Sequence, residues 1–511
     1  MPVVVRRLLV SLLVVLASTA LMYGLVALSG NPLQDLLEYS GPDRDARIAA
    51  RTAALDLDEP VPVRYALWLQ DVGRCVVPGG GDCTLGLDRQ SRPVLPQLGS
   101  ALGSTLRLVA AATAGAMVVG VVAGVVSALR QYGAFDHAAT LVAFVCFSLP
   151  VFWVSTLLKQ YVAIDLNTWL GDPSLAYGTI VAIGLAAGAG WALLVGGSAR
   201  RRALVLVVAA AATSSTLLAL IISGWFRRPS LGVLGVAVSA VVAALLWSAL
   251  LVGLRRRARP VLRGAIGSAV VGAAVVAVAQ SRLADATWLT LGLVAVLVVA
   301  LAALTGWALG GHARRAAAQV AALTGGTVVV LMVVDQLLRA YPALYHATDG
   351  RPVSTTGSRT PNLDGTFWET NLDLALHLVL PTIAVMLVSV ATYTRFTRSG
   401  MLETLAQDHV RTARAGGLDE RDVVVGHALR NALVPLVTLV AFDLAGILGG
   451  AVVVETVFGW NGLGRLFATG LANVDPNPVM AFFLVAAVAT VTCNLLADLA
   501  YARLDPRIRL R

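Results

Sequence analysis

Apolar residues fall in long uninterrupted runs along this chain. Twelve runs, at about 8–29, 106–129, 138–163, 175–197, 203–224, 231–254, 262–280, 287–309, 317–338, 376–394, 432–455 and 479–500, are separated by short polar connections. Each approaches the roughly 20 residues that carry a helix across about 30 Å of hydrocarbon. The runs are too long for membrane strands and lack their period-two alternation. The pattern predicts an all-α polytopic membrane protein. Arg6 and Arg7 before the first run, and Ala27 and Ser29 after it, resemble a secretion signal. That run is longer than a signal core and more spans follow, so it is expected to stay as an anchor.

Composition agrees with the pattern. The 511 residues are 57% hydrophobic and 13% charged, with a mean hydropathy of +0.78, whereas soluble domains carry about 25% charge. Such hydrophobicity also excludes disorder. The net charge of +10 does not point to nucleic acid, because the basic residues sit in small groups between apolar runs. Arg6, Arg7, Arg130, Arg200–Arg202, Arg255–Arg257, Arg259, Arg263, Arg314 and Arg315 fall on one side of the spans. Arg395, Arg398, Arg411, Arg414, Arg421, Arg430, Arg503, Arg507, Arg509 and Arg511 join them. The positive-inside bias makes that side, and both termini, cytoplasmic. The long segment 30–105 is then outside. There Cys75 and Cys83 flank a glycine-rich stretch, either as a disulfide or as two free thiols. Cys146 and Cys493 lie within spans and read as packing residues.

One inner connection, 395–431, is unlike the others. It reads as two short amphipathic helices broken at Gly416–Gly417. The first, about 399–415, places Leu402, Leu405, His409 and Ala413 on one side and Glu403, Asp408, Arg411 and Arg414 on the other. Asp419 suits the start of the second helix. Such a hairpin either links two spans or offers a rigid docking face to a partner.

The stretch Gln407–Pro435 resembles the loop of binding-protein-dependent ABC importer permeases of the dipeptide/oligopeptide branch. Arg411-Thr412-Ala413 stands where that family has Glu-Ala-Ala, and Gly417 where it has its glycine. His427-Ala428-Leu429-Arg430-Asn431-Ala432-Leu433-Val434-Pro435 resembles the continuation. The likeness extends through Leu448–Phe458, Gly462-Leu463-Gly464 and Leu504–Arg509, with Asn461 where a proline often stands. Gly30-Asn31-Pro32-Leu33, Leu57-Asp58-Glu59-Pro60, Tyr65–Leu69, Gly86-Leu87-Asp88 and Ser148–Trp153 are similar to the N-terminal part of that branch.

The resemblance implies a six-helix type I (MetI-like) permease core and a coupling loop, 399–431, that seats on an ATPase. It implies docking by Asp408, Arg411, Thr412, Ala413, Arg414, Gly417, Glu420, His427 and Arg430, with Gly417 allowing the chain to reverse. The implied partners are a second homologous permease subunit, two ATP-binding cassette subunits, an extracytoplasmic substrate-binding protein, a peptide substrate and membrane lipid. The implied location is the cell membrane of a prokaryote. Residues 166–339 lack a counterpart in this likeness. They hold six apolar runs, an even number that leaves the later spans in their original direction. The expected organisation is therefore 1–165 and 340–511 as two halves of a core, with 166–339 inserted as a bundle of about six spans. Within it, Gly184-x-x-x-Gly188 and Gly306-x-x-x-Gly310 permit close helix approach.

No cofactor is expected in the chain itself. A phosphate-cradling loop needs Gly-x-x-x-x-Gly-Lys followed by Ser or Thr, and the only lysine, Lys159, has no such setting. ATP and Mg are expected on partner subunits, and no enzyme or metal motif emerges. Asp443, Glu455 and Asn494 are candidates for the pore, since polar groups within spans are costly; for Asp443 an interhelical hydrogen bond is the competing account. A twelve-span secondary transporter fits the span number but calls for matching halves. An acidic outer segment also admits a membrane glycosyltransferase.

Overall fold

Helix forms wherever the apolar runs stand, because a backbone without water around it must satisfy its donors within its own segment. The computed structural model describes residues 2–76, 83–253, 259–280 and 282–504, including side chains except at 2–8, 11, 442, 445, 447–450 and 494–504. Among the described residues there are no strands, only an isolated bridge between Leu87 and Pro93.

Among the described residues, nine helices are long and apolar enough to cross a membrane. They include α5 (Val94–Leu129), α9 (Tyr177–Val195), α10 (Ala199–Ile222), α11 (Gly232–Leu251), α12 (Arg259–Ala279), α13 (Trp288–Leu309) and α14 (Arg314–Ala347). The other two are α15 (Phe367–Leu405) and α22 (Pro476–Leu504). The first expected span is a shorter apolar helix, Leu12–Leu28, within α1 (Pro2–Leu28). Large apolar side chains such as Leu13, Val118, Leu141, Leu204, Leu234 and Leu289 are exposed, as helices facing lipid require.

Two expected spans are not straight rods. The run 138–163 is α6 (Ala134–Ser148) followed by α7 (Val151–Leu157), a π-helical stretch Leu158–Ile164 and α8 (Asp165–Gly171). Its two arms meet at 101°. The cause is Pro150, which lacks an N–H and drives the preceding residue out of the helical region; Leu149 is extended at φ −78, ψ 129. The run 432–455 becomes α19 (Val434–Gly450) and a separate short helix, α20 (Val452–Val457). Between α1 and α5 lie α2 (Gln34–Glu38), α3 (Arg44–Ala54) and α4 (Val61–Val76).

The chain divides into two compact units. The first comprises Met1–Val162, Thr355–Ser358 and Leu378–Arg511. There α22 packs on α1, α19 and α21 (Leu463–Ala472), and α5 packs on α19, α21 and α22. Gly120 and Gly124 of α5 admit α15 closely. A Cβ on Gly120 would lie 2.6 Å from Tyr393 Cβ, and one on Gly124 2.7 Å from the Thr394 carbonyl oxygen.

The second unit, Ala163–Ser354 with Arg359–His377, holds α8 to α14 and the start of α15. Its core includes Val236, Ala240, Val261, Ala265, Val328 and Met332. Both glycine pairs in it are close contacts. A Cβ on Gly188 would stand 2.4 Å from the Leu206 carbonyl oxygen, and one on Gly306 2.6 Å from that of Ala317. Asp335, buried on α14, accepts the backbone N–H groups of Leu231 and Gly232 at 2.7 and 2.9 Å, and so caps the start of α11.

Candidate functional site

The loop of mixed charge folds around a small core of its own. It begins where α15 ends at Leu405, and Gln407 turns the chain with φ −74, ψ 152. Then come α16 (Asp408–Ala415), α17 (Glu420–Asp422), a π-helical turn Val423–Leu429 and α18 (Arg430–Ala432). Val410, Ala413, Val423, Val424, Ala428 and Ala432 bury themselves against Met401 of α15 and Ala128 of α5. The expected single helix over 399–415 is thus two helices. Of the expected inner face, Leu402, Leu405 and Ala413 do pack into this core, whereas beyond the break at Ala406–Gln407 His409 is exposed and Val410 is buried instead. His409 Nε2 lies 3.2 Å from Asn431 Nδ2.

Gly417 adopts φ +78, a left-handed conformation that disfavours other residues. Asp419 follows at the N-cap position of α17. The reversal is closed by Arg414, whose Nε and Nη2 donate to the Glu420 carboxylate at 3.0 and 2.6 Å. That bidentate bond holds the Glu420 carboxyl below its ordinary value and raises the Arg414 guanidinium. Asp408, Arg411, Thr412, His427 and Arg430 are exposed, Arg411 lying 3.8 Å from Asp408. Thr412 Oγ1 donates back to the Asp408 carbonyl at 2.9 Å. Ala413 departs from the expectation of a surface contact, because its side chain is buried in the loop's core. Leu418 and Val425 are apolar yet 46% and 53% exposed, among these charges.

Two of the three pore candidates, Glu455 and Asp443, are held in internal contacts. Glu455 on α20 is fully buried. It accepts from Thr105 Oγ1 at 2.7 Å and from the Gly464 and Arg465 N–H groups at 2.7 and 3.1 Å. The last two are first-turn donors of α21, which have no partner within their own helix. Thr105 in turn accepts from Leu463 N–H at 2.8 Å. A Cβ on Gly462 would sit 2.3 Å from Glu455 Oε1, so glycine there leaves room for the carboxylate. Glu455 is therefore a helix cap placed in sequence before its helix. Asp443 accepts from Ser389 Oγ at 2.7 Å and Tyr393 Oη at 2.6 Å, joining α19 to α15. Asn494 belongs to α22, but its side chain lies outside the described residues.

Sequence reasoning missed a polar junction beside the loop. Asp136, at the start of α6, is buried. It accepts from Arg398 Nε and Nη2 at 2.6 and 2.9 Å, from Tyr132 N–H at 3.0 Å and from Ser127 Oγ. This ties α5, α6 and α15 together. The available signal was an acid in the short connection between two apolar runs that also holds Arg130.

The family model for the binding-protein-dependent transport system inner membrane component matches residues 183–510, more than half of the chain. The chain belongs to this family. The matched range runs through most of 166–339 as well as the loop and α22. The oligopeptide transport system permease protein OppB of Mycobacterium tuberculosis is 41% identical over 155 residues, 30% of this chain and 48% of that protein. The oligopeptide transport system permease protein AppB of Bacillus subtilis is 46% identical over 132 residues, 26% of this chain and 42% of that protein. The dipeptide transport system permease protein DppB of Escherichia coli is 42% identical over 146 residues, 29% of this chain and 42% of that protein. The chain spans about half or less of the length of these curated relatives.

In this inner membrane component the segment between α1 and α5 is also ordered by charge. Cys75 and Cys83 form a disulfide, with their Cα atoms 5.0 Å apart. Arg89 joins Asp35 and, through Nη1, the Asn473 carbonyl at 2.6 Å. Arg89 N–H donates to Asp475 Oδ2 at 2.8 Å, and Asn477 Nδ2 to the Leu87 carbonyl at 2.7 Å. Asp475 is buried, and burial pushes its carboxyl up to about 6 against the lowering hydrogen bond from Arg89. Asp35 and Asp88 are lowered: burial raises both, but the hydrogen bonds outweigh it. Those bonds come from Arg51 for Asp35, and from Arg92 and Gln97 for Asp88. Lys159 Nζ reaches the Val457 carbonyl at 3.3 Å.

Proposed function

We propose that this chain is the permease subunit of an ABC importer for di- or oligopeptides, and that the loop 408–432 seats on a cytoplasmic ATPase subunit. The observation that carries the reading is the loop's construction. A buried core of small apolar residues holds the loop together, and its exposed residues include the apolar Leu418 and Val425 as well as Asp408, Arg411, Arg414, Glu420 and Arg430. Apolar anchors ringed by charges are the anatomy of a protein-binding patch. A connection that only linked two spans has no need of such a face. The names of the relatives, oligopeptide and dipeptide permeases, support the substrate class.

In this reading the chain forms half of the translocation pathway with a second homologous permease. Two ATP-binding cassette subunits supply ATP and Mg, and an extracytoplasmic binding protein delivers peptide to the ordered segment between α1 and α5. The second compact unit is a bundle inserted in the sequence between the two halves of the permease core. Both termini and the loop are cytoplasmic.

The test is peptide uptake into proteoliposomes holding the full chain with a second permease, two ATP-binding cassette subunits and a binding protein from the same organism. Uptake should need ATP, and Leu418→Ser with Val425→Ser should lower it at least tenfold while membrane insertion stays normal. Uptake driven by a proton gradient without any ATPase would overturn the assignment. Unchanged ATP-dependent uptake in the double variant would overturn the docking face.

A further inference from the structure

The second unit contains a cavity of about 260 Å³ that none of the roles above uses. Its walls include Phe226, Arg227, Arg228, Tyr341, Tyr345 and His346. The apolar side is fixed in place. Phe226 stands edge-on to Trp169 and Trp225, with ring centroids 4.9 and 5.4 Å away. Their indole N–H groups donate to the Ser174 and Ser230 carbonyls at 2.9 and 2.8 Å.

The polar side is short of acceptors. The Tyr341 hydroxyl is buried and has no hydrogen-bond partner among the described residues, an unfavourable state for a donor. Tyr345 lies one turn further along α14, its ring 6.0 Å from that of Tyr341. Arg227 has a carboxylate, Asp172, 3.5 Å away, with both side chains largely exposed. Arg228 forms no ion pair among the described residues. Two guanidinium groups and an unused hydroxyl therefore converge beside an aromatic wall.

The location narrows the ligand further. Trp169, Trp225, Tyr341 and Tyr345 gather at the ends of α8, α10 and α14, as amphipathic aromatics do at a membrane–water boundary. Arg200–Arg202 and Arg314–Arg315 mark the opposite ends of α10 and α14. With those ends inward, the cavity opens at the outer boundary, where Arg227 and Arg228 run against the inward bias of the other arginines.

We propose that this cavity binds the phosphate of an anionic lipid headgroup from the outer leaflet. Arg227 and Arg228 take the phosphate oxygens, for which the planar guanidinium is suited. The Tyr341 hydroxyl donates to the same group, and Phe226 lies against the glycerol. The volume is below the roughly 300–1,000 Å³ of sites that enclose a drug-sized ligand, so the headgroup enters while the acyl chains stay in the bilayer.

The test is native mass spectrometry of the full chain released from nanodiscs of equal phosphatidylglycerol and phosphatidylcholine. Wild type should retain phosphatidylglycerol about tenfold over phosphatidylcholine. Arg227→Gln with Arg228→Gln should abolish that preference, and Tyr341→Phe, which keeps the ring and its packing, should weaken it a few-fold. Retention unaffected by tens of millimolar inorganic phosphate supports the lipid. Displacement by inorganic phosphate, or equal retention by wild type and the double arginine variant, overturns the lipid assignment.

Discussion

Replacing Glu455 by alanine would remove three hydrogen bonds at once from a site with no exposure to solvent. Two of the donors left behind are the Gly464 and Arg465 N–H groups, in the first turn of α21. A buried donor without a partner costs about 1–3 kcal/mol. The helix also loses an anion at its positive end, worth about 0.3–1 kcal/mol. The sum is at least about 2 kcal/mol, which makes local opening of that turn roughly 30-fold more frequent. Glutamine is milder. Its carbonyl still receives the two N–H groups, and its amide turns toward Thr105 Oγ1, which already accepts from Leu463. About 1 kcal/mol, or fivefold, is expected. Hydrogen exchange of the full chain in nanodiscs reads both values directly, in peptides covering 459–470. Peptides over α9 and α10, in the other unit, should not change. Exchange within twofold of wild type in Glu455→Ala would refute the capping role and return Glu455 to the pore candidates.

Three further predictions follow from the same kind of reasoning. Asp136→Ala leaves the Arg398 guanidinium, 29% exposed, without its carboxylate. It should cost about 2–3 kcal/mol, less than the 3–5 of a fully buried pair, read as faster exchange over 395–405. Asp475→Asn should remove a pH dependence. The folded carboxyl titrates near 6, above its ordinary value of 3.8, so the folded state holds a proton that the unfolded chain has released. Stability therefore falls as pH rises from about 4 to about 6 and is flat above, whereas the lowered Asp35 and Asp88 contribute stability that is lost only as pH falls below about 4. Wild type should melt at higher temperature at pH 5 than at pH 7, and the asparagine variant equally at both. Gly417→Val should destabilise the loop by about 1–2 kcal/mol through backbone strain alone, because a Cβ there has open space around it. Gly417→Asn should cost about half as much, both read by exchange over 408–432.

The membrane class, and helix wherever an apolar run stands, were legible because burial in lipid is written as run length, which needs no knowledge of partners. Bends were legible only in part. Pro150 stood in plain view inside the run 138–163, yet run length alone treated that run as straight. The loop's two faces were legible except at His409, which is exposed while Val410 takes the buried place, because nothing periodic marks the break at Gln407. Packing partners were least legible. Gly120 and Gly124 looked like any glycines in a chain with 48 of them, and their use depends on α15, some 270 residues away. Glu455 and Asp136 share that limit. Each satisfies donors brought to it by the fold, so a costly polar residue in an apolar run reads as a pore residue until its partners are seen.

The loop's private core has a mechanical consequence. A connection made of separate turns yields when pushed, and the force is lost in bending. Here Val410, Val423 and Ala428 share one packed interior with Ala128 and Met401, so the outer face and the ends of α5 and α15 move as one stiff body. Compliance is left at the extended link of Gln407. A load applied at Leu418 or Val425 is thus delivered to two membrane helices at once, with the Asp136–Arg398 junction as the fulcrum between them.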